Sequence, residues 1–210
     1  RWNWYMALTN YNDLKTSIAD FLNRDDLTAV IPDLIKLAEG QLNKEVRHWR
    51  MQDRAIATVD SQYTALPTNF LEPVRMVKTS GEFQIMELVG ALEISKLRQG
   101  GNDNVGVPRV YTVLDQAFEV FPTPDGDHIL ELTYYEEIPD LATNSTNWLM
   151  TYYPYAYLYG SLIHSAPYLS EGNRIAEWSA LYQKAINDIN AESERATTSG
   201  SGRRMKIRSY

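Results

Sequence analysis

Between Asn147 and Arg195 apolar residues recur at three- and four-residue spacing, and this long run of helical period constrains the fold more than any other stretch. Its first half places Trp148, Leu149, Tyr152, Tyr155, Ala156, Tyr159, Leu162, Ile163 and Ala166 in phase. After a break at Pro167 to Gly172 the pattern resumes with Ile175, Trp178, Leu181, Tyr182, Ala185, Ile186 and Ile189. A connection this short directs two such helices into an antiparallel hairpin. Ser145 or Thr146 is placed to cap it, and Pro154 either kinks the first helix or restarts it. The hairpin is expected to be the packing centre of the domain.

A second helical hairpin is expected near the other end of the chain. Leu14, Ile18, Phe21 and Leu22 share helical spacing over Asn12 to Leu22, with Asn10 or Asn12 as cap. After a turn at Asn23 to Asp26, Pro32 suits a first helical turn, and Leu34, Ile35, Leu37, Ala38, Leu42 and Val46 carry the helix to about Trp49. Arg1 to Tyr5 precede Met6 and are set aside as an N-terminal extension, native or added.

Between the hairpins the period changes. Ile56 and Thr58, then Tyr63, Ala65 and Leu66, read as short extended pieces, and Leu66-Pro67 disfavours helix at that junction. Phe70 to Val77 is ambiguous, Phe83 to Met86 reads as a strand, and Leu88 to Arg98 as a short helix with Leu88, Ala91, Leu92 and Leu97 inward. Gly100 to Gly106 reads as a mobile contact loop. The best strands are Arg109 to Leu114, Ala117 to Phe121 and His128 to Tyr135, and Pro122 to Asp127 has the chemistry of a hairpin turn joining the last two. The expected fold is α+β and predominantly helical. Two helical hairpins form one bundle over residues 6–196, with a small antiparallel sheet inserted at about 54–138 and a flexible linker and basic arm at 197–210.

Composition closes off several chemistries. The chain has no cysteine, which excludes disulfides, thiolate metal sites and thiol catalysis. It has no apolar run of about 18 residues and no signal-peptide layout at its start, so synthesis in the cytoplasm is expected. His48, His128 and His164 lack metal-ligand spacing, and Ser161 and His164, one helical turn apart, lack an orienting acid. Asp125 and Asp127 read as turn residues rather than a calcium site. Glu136 and Glu137 are adjacent on a strand, point to opposite faces and cannot act as a glycosidase pair. The glycines of residues 100–106 lack a P-loop lysine. No catalytic residue, metal or cofactor is expected, and the chain reads as a non-enzyme. Charge is distributed unevenly: Arg203, Arg204, Lys206 and Arg208 end the chain without an acid, so a formal charge of −7 leaves −11 on the preceding residues.

Several local motifs occur in order along almost the whole chain. They are Tyr11-Asn-Asp-Leu14, Ile31-Pro-Asp-Leu-Ile-Lys-Leu-Ala-Glu39, Tyr63-Thr-Ala-Leu-Pro-Thr-Asn-Phe-Leu71 and Gly106-Val-Pro-Arg-Val-Tyr111. Phe121-Pro-Thr-Pro-Asp125, Tyr134-Tyr-Glu-Glu-Ile-Pro139, Asn147-Trp-Leu149, Tyr157-Leu-Tyr-Gly-Ser-Leu162 and Ala166-Pro-Tyr-Leu169 complete the series. From about Tyr11 onward the sequence resembles the head-to-tail adaptor, or connector, proteins of tailed bacteriophages. The resemblance implies a subunit of a dodecameric ring at the neck of the virion, beneath the portal protein. Such a ring continues the channel for double-stranded DNA, without reading its sequence, and offers the next tail or nozzle protein a landing surface.

Two sets of contact residues are expected on that reading. In the C-terminal arm, Met205, Ile207 and Tyr210 are interleaved with Arg203, Arg204, Lys206 and Arg208, an alternation suited to an extended strand laid on a neighbouring adaptor or portal subunit. The acidic body supplies a complementary surface. Fourteen tyrosines, concentrated between residues 134 and 168, exceed what one core face needs. Tyr153, Tyr157 and Tyr168 are therefore expected at subunit interfaces. Two other readings are a phage-associated peptidoglycan hydrolase, which needs a defensible carboxylate pair, and a free helical interaction module.

Overall fold

The computed structural model describes residues 8–101, 104–169 and 172–199. It opens with α1 (Tyr11–Leu22) and α2 (Ile31–Glu45). The strands β1 (Gln52–Val59), β2 (Tyr63–Ala65), β3 (Phe70–Lys78) and β4 (Gln84–Leu88) come next, then α3 (Ala91–Gln99), β5 (Val110–Leu114), β6 (Ala117–Phe121) and β7 (His128–Glu136). The chain ends in α4 (Leu141–Asn144), α5 (Trp148–Tyr152), α6 (Pro154–His164) and α7 (Gly172–Thr198). These elements divide into a helical unit, residues up to Arg50 and from Ile138 onward, and a sheet unit, Met51–Glu137.

In the helical unit each helix starts and stops for a local reason. The Asn10 side chain accepts the N–H groups of Asn12 and Asp13 at the start of α1, and Asn23, at φ 49°, ends it in the left-handed region. The far end of α2 is closed by α7: Asn190 Nδ2 donates to the Glu45 carbonyl (3.0 Å), Asn190 Oδ1 accepts the Arg47 N–H (2.9 Å), and Ser193 Oγ accepts the Trp49 N–H (2.9 Å). Asn147 caps α5 by accepting the Met150 N–H (2.8 Å). Pro154 has no N–H to continue that helix and Tyr153 leaves the helical region at φ −137°, ψ 53°, so α6 begins anew.

That restart changes which aromatic residues are buried. Tyr152 is turned to solvent, whereas Tyr157 is 1% exposed. Its hydroxyl accepts a hydrogen bond from Asn147 Nδ2 (2.7 Å), and the same amide group reaches the Pro139 carbonyl (2.7 Å). Helix α6 is the centre of the unit, packed on α1, α2 and α7. Gly160 permits the approach, since a Cβ there would lie 3.2 Å from the Tyr182 ring and 3.3 Å from the Ala38 Cβ.

The sheet unit overturns the expectation of a predominantly helical bundle with a small antiparallel sheet. Its seven strands, in the order β1-β7-β3-β4-β5-β6-β2, form a mixed sheet that curls into a nearly closed barrel. The β4–β5 pair is parallel and the others are antiparallel. Val59, Met76, Met86, Tyr111, Phe118, Val120, Leu130, Leu132 and Tyr134 fill its interior. Two details explain the error. Pro73 makes β3 look unlike a central strand, yet the register shifts between Pro73 and Arg75, a bulge that tolerates the missing donor. The expected β6–β7 hairpin does not exist either: β6 pairs with β5 and β2, and β7 lies between β1 and β3. The tight hairpin is β5–β6, turned by Asp115 at φ 53°. The inward residue of α3 is Ile94, whereas Ala91, Leu92 and Leu97 are exposed, and Leu88, also exposed, ends β4 instead of opening the helix.

Replacing Asn147 by Ala removes a cap and strands the Tyr157 hydroxyl and the Pro139 carbonyl, an expected loss of about 3 kcal/mol in urea unfolding. Gly160→Leu is expected to cost about 2 kcal/mol or more by forcing α6 away from Ala38 and Tyr182, read in the same titration.

Candidate docking surfaces

On the helical unit the sequence brings aromatic residues together around a buried imidazole. His48 stacks on Trp148 (ring centroids 5.0 Å apart, 20° between planes) and has Trp49 and Tyr153 at its edges. Its Nδ1 accepts the Arg50 N–H (3.2 Å), which places the proton on Nε2, an atom without a partner among the described residues. Over this buried layer lies an exposed one. The Arg50 guanidinium is 4.5 Å from the Trp49 ring and 4.2 Å from the Tyr152 ring. Trp49 and Tyr152 are 40% and 54% exposed. Tryptophan, tyrosine and arginine are the residue types that dominate protein interfaces, because each offers a rigid apolar surface and a polar edge.

Glu39 and Asp140 of this unit are engaged. Glu39 accepts the Leu141 N–H (2.8 Å), and burial raises its pKa. Lys36 pairs with Asp140, holding that carboxyl below the usual range. Burial, with the Glu192 carboxylate nearby, pushes the Tyr153 hydroxyl up to about 12.

On the sheet unit two apolar depressions are open to solvent. One, of about 590 Å³, is lined by Leu97, Val105, Val107, Arg109, Phe121 and Pro122. Helix α3 is held at its edge by Arg98, which donates to Glu119 Oε1 (2.8 Å), Thr123 Oγ1 (3.0 Å) and the Val120 carbonyl (2.8 Å). The other, of about 320 Å³, lies where the barrel fails to close, between β1 and β2. Ala55, Ala57, Ala65, Leu66 and Pro67 form its rim, with Met76, Phe118, Leu130 and Leu132 beneath. The alanines are decisive: larger side chains at 55 and 57 would plug the slot.

The polar groups singled out in the sequence do not come together in one site among the described residues. Ser161 Oγ and His164 Nε2 are both buried, and neither has a hydrogen-bond partner among the described residues, so they do not form a dyad. Asp125 Oδ1 is taken by His128 Nε2 (2.8 Å), and no group of three potential metal ligands occurs among the described residues. What the surfaces offer is contact. A family model described as SU10 adaptor protein matches residues 9–205. The chain belongs to this family of phage head-to-tail adaptors. The family is structural, a component of the virion that works through contacts with other phage head and tail proteins. No curated protein matches the chain closely enough to be called a relative. Among the described residues, no helix of this adaptor is long and apolar enough to cross a membrane.

The expected contact residues are spread out. Tyr157 is enclosed by the helices of its own unit and Tyr153 is almost as buried, so the second side that their burial demands is supplied within the chain. Tyr168 is 46% exposed. Arg203, Arg204, Met205, Lys206, Ile207, Arg208 and Tyr210 lie outside the described residues, as do Asn102 and Asp103 of the glycine-rich loop. Trp49, Arg50 and Tyr152 carry no joint signal in the sequence, since their stack brings together residues about a hundred positions apart. The only signal was an arginine directly after Trp49 at a helix end.

Burial lowers the pKa of both His48 and His164. In the unfolded chain an imidazole takes up its proton at about pH 6.5, so stability tied to their neutrality is complete above that pH and is lost as pH falls toward the depressed folded values. Glu39, whose folded pKa is raised, works in the opposite sense. Urea midpoints are expected to drop between about pH 7 and about pH 5 and to drop less in a His48→Gln/His164→Gln variant. Equal slopes for the two proteins would assign the loss to carboxylates.

Proposed function

We propose that this adaptor packs with copies of itself into a dodecameric ring beneath the portal, continues the channel for double-stranded DNA, and offers the next tail component a docking surface. The observation that carries the reading is the Trp49–Arg50–Tyr152 stack, an aromatic and cationic surface of interface type whose two rings are exposed and whose guanidinium is half-buried between them. Each large apolar side chain buried between subunits contributes roughly 1.5–3 kcal/mol before the cost of association, so a few anchors per interface suffice for a ring. Tyr168 is a further anchor open to solvent.

The charge distribution fits the same reading. A body carrying −11 and lining a channel repels phosphate, which lets DNA slide without adhering. The basic arm of residues 203–210 is then free to seek an acidic surface on an adjacent adaptor or portal subunit. Electron microscopy of the chain mixed with its portal tests the whole reading: rings on the portal with an acidic lumen are expected, and a strongly basic lumen would contradict it. Lysis of purified peptidoglycan in a turbidity assay would replace it with a hydrolase.

Two variants separate contact from folding. An Arg50→Ala/Tyr152→Ala protein, altered at one half-buried and one exposed position, is expected to unfold within about 2 kcal/mol of the parent while losing ring formation in sedimentation. Deleting residues 199–210 is expected to leave the helical circular dichroism intact and to impair assembly on the portal. Full assembly of the truncated chain would remove the arm from the reading.

A further inference from the structure

We infer that the slot between β1 and β2 receives the basic C-terminal segment of a second copy of this chain, which adds to the free edge of β1 with Met205 and Ile207 entering the slot. The inference rests on the ring reading and names the site that ties one subunit to the next.

Three observations converge on the slot. Strand β1 ends the sheet order and pairs only with β7, so among the described residues its other edge has unpaired backbone donors and acceptors. Such an edge is a template for one more strand. Beside it the barrel interior is open through the gap left by Ala55 and Ala57, over Met76, Leu130 and Leu132. A second depression shares Ala65, Leu66 and Pro67 with it and extends the groove past Thr68 and Phe70 to Asp115.

The third observation is electrostatic. Asp53 pairs in register with Tyr134, an interior residue, and accepts a hydrogen bond from its hydroxyl (3.3 Å), so Asp53 faces inward at one end of the slot. Glu136 shares that end, held by Asn69 Nδ2 (2.6 Å), and burial together with the Asp53 charge raises its pKa. Among the described residues neither acid has a cationic partner. Inward positions on β1 therefore run acid, small, small: Asp53, Ala55, Ala57. One face of the C-terminal segment runs cation, apolar, apolar: Arg203, Met205, Ile207. Laid parallel to β1, the segment sets Arg203 against the two acids and its apolar residues over the two alanines. Arg204, Lys206 and Arg208 then face solvent. The antiparallel direction would carry Arg203 away from Asp53 toward the apolar end and lose that match.

The chain has no cysteine, so an introduced pair reports only on itself. Neighbouring strands lie about 4.8 Å apart, within disulfide reach. Full-length chain carrying Ala57→Cys is mixed with differently tagged full-length chain carrying Ile207→Cys and oxidised mildly. The mixed-tag disulfide dimer is expected to form about tenfold faster than with Arg208→Cys as donor, whose side chain points away. Adding Asp53→Lys to the acceptor is expected to slow it by a similar factor. Equal rates for the two donors, or indifference to Asp53→Lys, would overturn the proposal. Placing both cysteines on one chain and finding the bond within that chain in place of the dimer would overturn the second copy as occupant. A mixture that sediments as rings without this cross-link removes the slot and keeps the ring. A chain that stays monomeric with and without portal removes both.

Discussion

The helical unit depends on one hydrogen bond. A tyrosine at the centre of a bundle is an efficient filler, but a buried hydroxyl without a partner cancels much of what the ring contributes. Asn147 supplies it, and the same side chain caps α5 and holds the Pro139 carbonyl. The bend into α5, the break at Pro154 and the burial of Tyr157 are thus one arrangement, from which α6 takes the phase that sets Gly160 against Ala38 and Tyr182.

The sheet unit is governed by a different constraint. Strand β7 is inserted between β1 and β3, so the curl is closed by pairings between residues far apart in sequence rather than by successive hairpins. Closure then falls one pairing short, and the gap coincides with two alanines where bulkier residues would have sealed the interior. Elsewhere the wall is reinforced: Glu119, almost fully buried, is shared by Arg98 and by Gln62 Nε2 (2.7 Å), which fixes α3 to the barrel. Among the described residues the acids at the mouth of the slot have no such cation.

The helices were legible because helix signals are local. Asn10, Pro32 and the spacing of Leu14, Ile18 and Leu22 act within a turn or two, and the structure obeys them. Phase across a break is another matter: a single register drawn from Trp148 to Ala166 put Tyr152 inside, because nothing local states that Pro154 resets the count. The strands are legible one by one, but their pairing is not. Pro122 to Asp127 carries turn residues, yet β7 on its far side pairs with β1 and β3, a choice made by burial across the barrel and invisible in the turn. Contact surfaces were the least legible part, since Arg50 and Tyr152 meet only after the chain has folded.

The helical unit is assembled from both sides of the barrel segment, and this bears on how the polypeptide matures on the ribosome. The Glu45 carbonyl waits for Asn190, 145 residues later, which at roughly 5–20 residues per second means about 7–30 s before the far end of α2 is closed. The barrel needs nothing from outside Met51–Glu137 to fill its interior and can order during that interval. Once it does, Gln52 pairs with Tyr135, so the two strands that leave the barrel for the helical unit sit side by side. A long excursion is thereby reduced to a short one, and the entropy of bringing α2 to α5 falls before the last helix has been made.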